Sequence, residues 1–175
     1  MATIFISHSQ HDIAVVAAMA RGIEQAGYHT WYSERDLQPG TSRTSQISDA
    51  ISQAESTVLV VSSHSATSHQ VTTEALDAFE RGKPLLPVLV DVTPAQLQEL
   101  ETGWWDIVRG STVSGIGGSI EDATAQIIER LKAHGILPEA RLMASPILKA
   151  VATSVDKPLP KSLAEKILAS RASME

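Results

Sequence analysis

Short apolar runs alternate with longer amphipathic stretches along most of this chain. Four runs are rich in β-branched and aromatic residues, which is typical of buried strands: Thr3–Ser7, Tyr28–Tyr32, Thr57–Val61 and Pro84–Val90. The stretches between these runs carry apolar residues at helical spacing. Strands that alternate with helices indicate parallel βαβ units in one sheet.

Capping signals set the expected ends of the helices. The predicted helices begin after Asp12, near Ile47, at Ser68 and at Ser119. Capping-box patterns and terminal glycines bound them: Ser9–Asp12, Thr67–Gln70, Gly27, Gly82 and Gly135. Residues 33–42 are expected to form a polar loop.

The pattern as a whole predicts an α/β fold of the flavodoxin type. We expect a five-stranded parallel sheet in the order 2-1-3-4-5, with helices on both faces. Pro87 is expected to interrupt the fourth strand, and a fifth, edge strand is expected at residues 107–113.

The pattern of apolar residues and the proline content of the sequence change near residue 137. Residues 1–136 carry the strand and helix pattern, and we expect them to form one domain. Four prolines punctuate residues 137–175, around helix-like pieces at 147–155 and 161–172. We expect this tail to be a helical extension or a linker.

Composition narrows the class of protein. The chain has 175 residues, of which 43% are hydrophobic, and this fraction is enough to form a core. The formal net charge of −6 disfavours a surface that binds nucleic acid or an anionic membrane. Cysteine does not occur, which excludes thiol nucleophiles and thiolate metal sites. No apolar run has the length of a signal peptide or a membrane span. We expect a cytoplasmic protein that binds neither nucleic acid nor membranes.

The stretch Ser62–His69 is dense in serines and histidines. A serine hydrolase is disfavoured because the G-x-S-x-G turn does not occur in the chain, so we expect these hydroxyls to form turns and cap a helix. Histidines lie in the expected loops at His8, His11, His64 and His69. Neither cysteine nor the helical spacing of a zinc protease accompanies them. We therefore expect no metal ion.

One carboxylate, Glu74, lies at the margin of the apolar stripe of its predicted helix. On a helical wheel it is about 60° from Val71 and about 40° from Ala78, two residues of the stripe. Desolvation at that margin favours a perturbed pKa and a role in binding or acid–base chemistry. The alternative is a boundary glutamate paired with a nearby arginine or lysine.

The predicted strand order favours the functional interpretation of Glu74. In open parallel sheets, ligands bind outside the carboxyl ends of the strands, where the strand order reverses. That point lies between the first and third strands. The first strand leads to Ser7-His8-Ser9 and the third leads to Ser68 and Glu74, so we expect these side chains to converge on one crevice.

Four segments carry a resemblance to a known family: IFISHS (Ile4–Ser9), TWYSERDLQPG (Thr30–Gly40), SSHSATSHQVTTE (Ser62–Glu74) and GWW (Gly103–Trp105). In this order they resemble four parts of the Toll/interleukin-1 receptor (TIR) domain in its bacterial form. These parts are the first-strand box, the second strand with the BB loop that follows it, the segment of the catalytic glutamate, and box 3. His8 stands where the first box usually has a tyrosine. The resemblance covers residues 1 to about 135.

The resemblance implies an enzyme that releases nicotinamide from NAD by hydrolysis or cyclisation, with NAD as substrate and no cofactor. The catalytic glutamate of the family falls on Glu74. The resemblance also implies a substrate pocket lined by Ser7, His8, Ser9, Trp31, Arg43, Ser68 and Gln70. One carboxylate suits this chemistry, because nicotinamide in NAD is already a cationic leaving group and needs no protonation.

The resemblance further implies homotypic self-association through the BB loop, whose residues here include Glu34, Arg35, Asp36, Leu37, Pro39 and Gly40. Bacterial relatives commonly act, once assembled, in anti-phage defence or signalling. They do so by depleting NAD or by making a nucleotide signal.

Two positions depart from the family's pattern. Gln70 replaces an aromatic residue that often precedes the catalytic glutamate by four positions, and Ser33 replaces the acid usual after the second-strand aromatics. Two other functions are open. One is a non-catalytic TIR interaction module, an adaptor or a mimic of host signalling. The other is an enzyme similar to nucleoside deoxyribosyltransferases, which share the parallel sheet and the single-glutamate chemistry.

Overall fold

The computed structural model describes residues 1–99, 114–115 and 119–139 of the chain. The chain divides into two compact units, Met1–Glu139 and Ala140–Glu175, and every described residue belongs to the first. Three features expected from the sequence lie outside the described residues: the edge strand at 107–113, the GWW segment at 103–105 and the helix-like pieces of the tail.

Parallel strands form the sheet of the first unit. The strands are β1 (Thr3–Ser7), β2 (His29–Trp31), β3 (Ser56–Val61) and β4 (Leu85–Leu89). Their order is β2-β1-β3-β4 and every neighbouring pair is parallel, which confirms the α/β fold and the predicted order of these strands. Residues Ser114–Gly115 pair in parallel with the outer edge of β4, and a full fifth strand stays a prediction.

Pro87 does not interrupt β4, so that expectation was wrong. It lies in register with Leu59 inside a continuous strand whose residues are all buried. Each residue of a strand directs its N–H towards only one neighbouring strand, so one proline removes a single ladder hydrogen bond. Burial of the apolar side chains of β4 outweighs that loss.

Helices connect the strands and cover the sheet. In the described part of the chain they are α1 (Ile13–Gln25), α2 (Ser33–Asp36), α3 (Arg43–Gln53), α4 (His69–Glu80), α5 (Pro94–Glu99) and α6 (Ile120–Ala133). The predicted loop after β2 instead begins with α2, because the Asp36 carboxylate accepts a hydrogen bond from the Tyr32 N–H (3.0 Å) and closes the turn. Among the described helices, none is long and apolar enough to cross a membrane.

Glycines end α1, α4 and α6, as the sequence predicts. Gly27, Gly82 and Gly135 have φ values of 94°, 68° and 77°, the left-handed region that glycine adopts at the end of a helix with least strain. At its amino end α6 is capped reciprocally by Ser119 and Asp122.

Two predicted amino-terminal caps are corrected by the structure. The capping box of Ser9 and Asp12 does not form, because the Asp12 carboxylate accepts a hydrogen bond from Ser62 Oγ instead (2.7 Å). The cap of α4 is one residue later than predicted, since Ser68 rather than Thr67 accepts a backbone N–H of the first turn. In the first case a residue distant in the sequence takes the carboxylate that the local pattern assigns to a cap. In the second case the cap forms one residue later than the pattern predicts.

Helices pack on both faces of the sheet, as predicted. On one face, α1 and α6 cover side chains that include Ile4 and Ile6 of β1. On the other face, α3, α4 and α5 cover Phe5 and Leu59. Side chains alternate between the two faces along a strand. Ser7, two residues after Phe5, therefore lies on the face covered by α3 and α4.

Gly22 allows α1 to approach α6 closely. A Cβ atom at Gly22 would lie 2.7 Å from Cγ2 of Thr124, and that methyl is fixed because Thr124 Oγ1 donates to the Ile120 carbonyl (2.7 Å). We expect Gly22→Ala to lower the free energy of unfolding by about 1 kcal/mol, the balance between overpacking and better helix propensity.

The control is Thr124→Ser, which removes the methyl group and keeps the hydrogen bond. In that background Gly22→Ala is expected to raise stability, because only the gain in helix propensity remains. Urea denaturation of the four proteins measures both differences. An equal loss in the two backgrounds would contradict the close approach.

Candidate functional site

The candidate site lies at the carboxyl ends of β1 and β3, where the strand order reverses. β1 ends at Ser7, and β3 leads through a short turn into α4, which carries Glu74 in its second turn. The Ser7 hydroxyl meets the Glu74 carboxylate across this edge. For these two residues the structure shows the convergence that the topology predicts.

Glu74 is buried, with 4% of its surface exposed. Ser7 Oγ donates to Oε2 (2.6 Å) and Gln70 Nε2 donates to Oε1 (2.8 Å). Burial raises the pKa of Glu74 above its usual value, against the opposing effects of these two hydrogen bonds and of the charges of His8 and Arg43. The carboxyl group is therefore desolvated, and its direct partners are a hydroxyl and an amide rather than an arginine or a lysine.

Gln70 connects Glu74 to the surface of the protein. Its Oε1 accepts a hydrogen bond from Nη2 of Arg43 (3.2 Å), the exposed first residue of α3. The spacing of Gln70 and Glu74, one helical turn apart, is visible in the sequence. The reach of Arg43 from another helix is not. Both expected pocket residues thus adjoin Glu74, one directly and one through an amide.

His8 is buried, but its direct partners are not Glu74. Its Nδ1 lies 3.1 Å from the carbonyl oxygen of Ile6, and its Nε2 lies 2.6 Å from Oε2 of Glu34. Burial by itself would raise the pKa of Glu34, yet the charge of His8 and the hydrogen bonds around the carboxylate hold that pKa below its usual value. His8 thus joins the end of β1 to α2. The sequence predicts Glu34 only as a BB-loop residue, and no local pattern pairs it with His8.

Three other expected pocket residues have different direct contacts. Ser9 Oγ lies 3.3 Å from Nδ1 of His11. The Trp31 ring stacks on a phenylalanine of β1, with ring centroids 5.3 Å apart, and Ser68 caps α4. Among the described hydrogen bonds, none joins these three residues to the Glu74 carboxylate.

The serine-rich stretch after β3 forms the turn into α4. The Ser62 N–H donates to Ser65 Oγ (2.7 Å), and the Ser65 N–H donates to Ser62 Oγ (3.0 Å). The bond from Ser62 to Asp12 ties this turn to the loop after β1. The prediction that these hydroxyls shape a turn and cap a helix is confirmed.

Two of the loop histidines meet across the same edge of the sheet. The rings of His11 and His64 have centroids 4.3 Å apart. In the part of the chain that the structure describes, no group of three or more histidine, aspartate or glutamate side chains is arranged to hold a metal ion. The histidine pair therefore adds a second contact between the loop after β1 and the turn after β3, beside the hydrogen bond from Ser62 to Asp12.

The predicted BB loop has a fixed base. Arg35 donates to the carboxylates of Glu24 (2.7 Å) and Asp36 (3.0 Å), and it also bonds the carbonyl of Thr30. Its guanidinium lies over the Tyr32 ring, 4.6 Å from the centroid. These contacts hold α2 against β2 and the end of α1.

Gln46 of α3 holds the middle of the BB loop. Its Oε1 accepts from the Gln38 N–H (2.8 Å), and its Nε2 donates to the Gln38 carbonyl (2.9 Å). Pro39 and Gly40 follow and are exposed, and Gly40 has a φ of 87°, which a side chain would strain. The tip of the loop is therefore presented to solvent on an ordered base.

The site around Glu74 supplies a single buried carboxylate rather than a nucleophile paired with a general base. Each carboxylate oxygen has one protein donor and keeps a lone pair for a further hydrogen bond. In a poorly solvated site, such a group stabilises a developing positive charge strongly. Its raised pKa also suits proton transfer.

A family model described as "TIR domain" matches residues 4–119, more than half of the chain. The chain therefore belongs to the TIR domain family. The matched region includes Glu74 and its two hydrogen-bond partners, Ser7 and Gln70. A search of curated proteins finds no match.

Solved TIR domains share the fold. The TIR domains of the activated Roq1 resistosome, which directly recognises the pathogen effector XopQ, are 18% identical and match 75% of this chain and 99% of their own, with a TM-score of 0.61. The TIR domain of the Toll-related receptor TRR-2 from Hydra magnipapillata is 18% identical, with coverages of 76% and 96% and a TM-score of 0.55. A metazoan TIR-STING receptor from C. gigas, in complex with 2',3'-cGAMP, is 24% identical over 71% of this chain and 38% of its own, with a TM-score of 0.56. At these identities the likeness establishes the fold alone.

The raised pKa of Glu74 predicts how its replacement changes stability. The folded state holds the proton of Glu74 to a higher pH than the unfolded chain does, so this group destabilises the fold as pH rises from about 4.5 through its folded pKa. Glu74→Gln removes the ionisation and can keep both hydrogen bonds, since Ser7 Oγ can also accept. We expect its Tm at pH 7.5 to exceed that of the wild type by about 2–4 °C, as loss of about 1 kcal/mol of charge burial would give.

Thermal melts at several pH values test this expectation. The difference between the two proteins should shrink as pH falls and level off below about pH 4.5, where Glu74 becomes protonated in the unfolded as well as the folded state. A wild type that is more stable than Glu74→Gln at pH 7.5 would show that the carboxylate is well compensated in the fold.

Proposed function

We propose that this TIR domain cleaves NAD and that Glu74 is its catalytic carboxylate. One observation carries the proposal: a single buried carboxylate, held by Ser7 and Gln70, lies at the sheet edge where parallel folds bind ligands. Membership of the TIR family supports it, and the resemblance of the Ser62–Glu74 segment implies that Glu74 corresponds to the catalytic glutamate of the enzymatic members.

The proposed reaction breaks the bond between C1′ of ribose and the ring nitrogen of nicotinamide. The electron pair of that bond leaves with the nitrogen and neutralises the pyridinium, so no general acid is required. Positive charge develops on the ribose, and ionised Glu74 stabilises it while accepting hydrogen bonds from ribose hydroxyls. Water then adds to C1′ and loses a proton, which gives ADP-ribose. Attack by an adenine nitrogen instead gives a cyclic product.

Other residues of the site support binding in this proposal. Ser7 and Gln70 fix the Glu74 carboxylate, and Arg43 supplies a cation for a phosphate at the exposed rim. His8, Ser9, Trp31 and Ser68 form the surrounding wall.

We also propose that the domain self-associates through its BB loop and that assembly completes the pocket. The loop presents an exposed Pro39-Gly40 tip on an ordered base. The TIR domains of the Roq1 resistosome are a precedent, since that structure is of an activated assembly.

In the cell we propose a cytoplasmic role in bacterial anti-phage defence or signalling. The sequence boxes resemble those of bacterial TIR domains, and depletion of NAD or production of a nucleotide signal follows from the proposed reaction. Activity that depends on assembly would keep NAD intact until a trigger raises the local concentration of the domain.

A non-catalytic TIR interaction module is the second candidate. The observation that favours it is the amide of Gln70, which stands where enzymatic relatives often have an aromatic residue and which covers one oxygen of Glu74. The match to the TIR family favours both of these functions over that of a nucleoside deoxyribosyltransferase.

Incubation of concentrated protein with NAD is expected to release nicotinamide, and Glu74→Gln is expected to lower the rate at least about 100-fold. The matched control is Glu80→Gln, which changes an exposed glutamate of the same helix and should keep the wild-type rate. Chromatography with mass spectrometry measures nicotinamide and separates ADP-ribose from a cyclic product.

Three results would contradict the proposal. Undiminished turnover in Glu74→Gln would remove Glu74 from the reaction. Intact NAD at every protein concentration, together with binding to another TIR domain, would favour the interaction module. Turnover of free deoxynucleosides with NAD untouched would identify a deoxyribosyltransferase.

The proposed assembly makes the rate per molecule depend on protein concentration. We expect specific activity to rise with concentration in the wild type and to rise much less in Pro39→Asp, which places a charge at the exposed loop tip. Gln53→Asp, at the exposed end of α3, is the control for added charge. Light scattering on the same samples measures the assembly, and equal concentration dependence in all three proteins would argue against the BB loop.

A further inference from the structure

The environment of Glu74 is not symmetric. Oε2 faces the hydroxyl of Ser7 (2.6 Å), and Oε1 faces the amide of Gln70 (2.8 Å). A hydroxyl can either donate or accept, whereas an amide presents a donor on one side and an acceptor on the other. The two oxygens of Glu74 therefore differ in whether they can carry a proton.

Arg43 decides which side of the Gln70 amide faces Glu74. A guanidinium has donors only, so the group that it contacts at 3.2 Å must be the amide oxygen, Oε1. The NH₂ group of Gln70 must then point towards Glu74. The amide orientation follows from this contact and needs no other assignment.

With its amide oriented in this way, Gln70 has only a donor to offer Oε1 of Glu74. A proton on that oxygen would place the new O–H donor opposite the NH₂ donor of Gln70, and the buried O–H would have no acceptor. A proton on Oε2 meets no such obstacle, because the Ser7 hydroxyl can turn and accept it.

We propose that Gln70, oriented by Arg43, is a positioning residue that keeps Oε1 of Glu74 an unprotonated acceptor and confines any proton to Oε2, beside Ser7. Glu74 thereby presents one oxygen that is an acceptor of fixed direction in both protonation states, and the exposed Arg43 influences the buried carboxyl group through a single amide. This inference deepens the proposed function and takes the role of Glu74 from it.

The proposal distinguishes this chain from relatives with an aromatic residue at the position of Gln70. An aromatic ring offers Oε1 no amide donor. In this domain, the polar Gln70 side chain replaces whatever packing a ring would supply with a directed hydrogen bond to the carboxylate.

The direct test is the titration of Glu74 in the free protein, followed by the carboxyl ¹³C shifts of labelled glutamates and assigned with Glu74→Gln. Gln70→Met keeps the length of the side chain and removes both polar atoms. We expect it to move the midpoint of Glu74 upwards by about one pH unit, since the carboxylate form loses a hydrogen bond. Gln53→Met, at an exposed site of α3, should leave the midpoint unchanged.

Arg43→Ala provides a second, surface variant whose folding is not in question. It should also raise the midpoint of Glu74, and the rise should be smaller in the Gln70→Met background, where only the through-space charge of Arg43 is left to lose. The part of the effect that passes through the amide should persist in high salt, which screens the through-space charge of an exposed side chain. Arg21→Ala, an exposed arginine of α1, is the matched control.

Two results would overturn the proposal: an unchanged midpoint in Gln70→Met, or an Arg43→Ala effect of equal size with and without Gln70. If the enzyme is active, the acid limb of its kcat profile should move with the Glu74 midpoint in each variant. If the wild type leaves NAD intact while the titration behaves as expected, the proposed function fails and the inference about Gln70 stands.

Discussion

The hydrogen bond between Ser7 and Glu74 is the contact on which the site depends. It joins the last residue of β1 to the second turn of α4, residues that are 67 positions apart in the sequence. A buried carboxylate without donors would be strongly destabilising, so the partners of Glu74 must be supplied by the fold. The strand order β2-β1-β3-β4 supplies them, because it brings the end of β1 beside the strand that leads into α4.

Much of this arrangement could be predicted from the sequence because it follows from hydrophobic periodicity. The runs at Thr3–Ser7 and Thr57–Val61 are apolar on both faces, and the structure places them as the central strands. The burial of Glu74 follows from its angle to the apolar stripe of one helix. Its bond to Gln70 needs only i, i+4 spacing. These features are local, or they depend on a topology that few connection rules determine.

The remaining contacts of the site could not be predicted because they join polar side chains from separate loops. The sequence places Asp12 in a capping-box pattern, but in the structure its carboxylate accepts a hydrogen bond from Ser62 Oγ instead. His8 has no local partner that would forecast its bond to Glu34. Such pairings depend on side-chain reach once the backbone is placed, and no periodicity encodes them.

The His8 contact has a structural consequence for the proposed assembly. His8 directly follows Ser7, and its Nε2 lies 2.6 Å from Oε2 of Glu34, so two adjacent residues at the end of β1 contact the buried carboxylate and α2. Arg35 lies at the base of the BB loop, with its guanidinium over the Tyr32 ring. The Tyr32 ring in turn contacts the His8 ring edge-on. A displacement of α2 would therefore act on His8 and, through one peptide bond, on Ser7. Any loop movement that the proposed assembly would cause has a continuous path of packed and hydrogen-bonded groups to Glu74, and coupling along it requires that α2 have two arrangements.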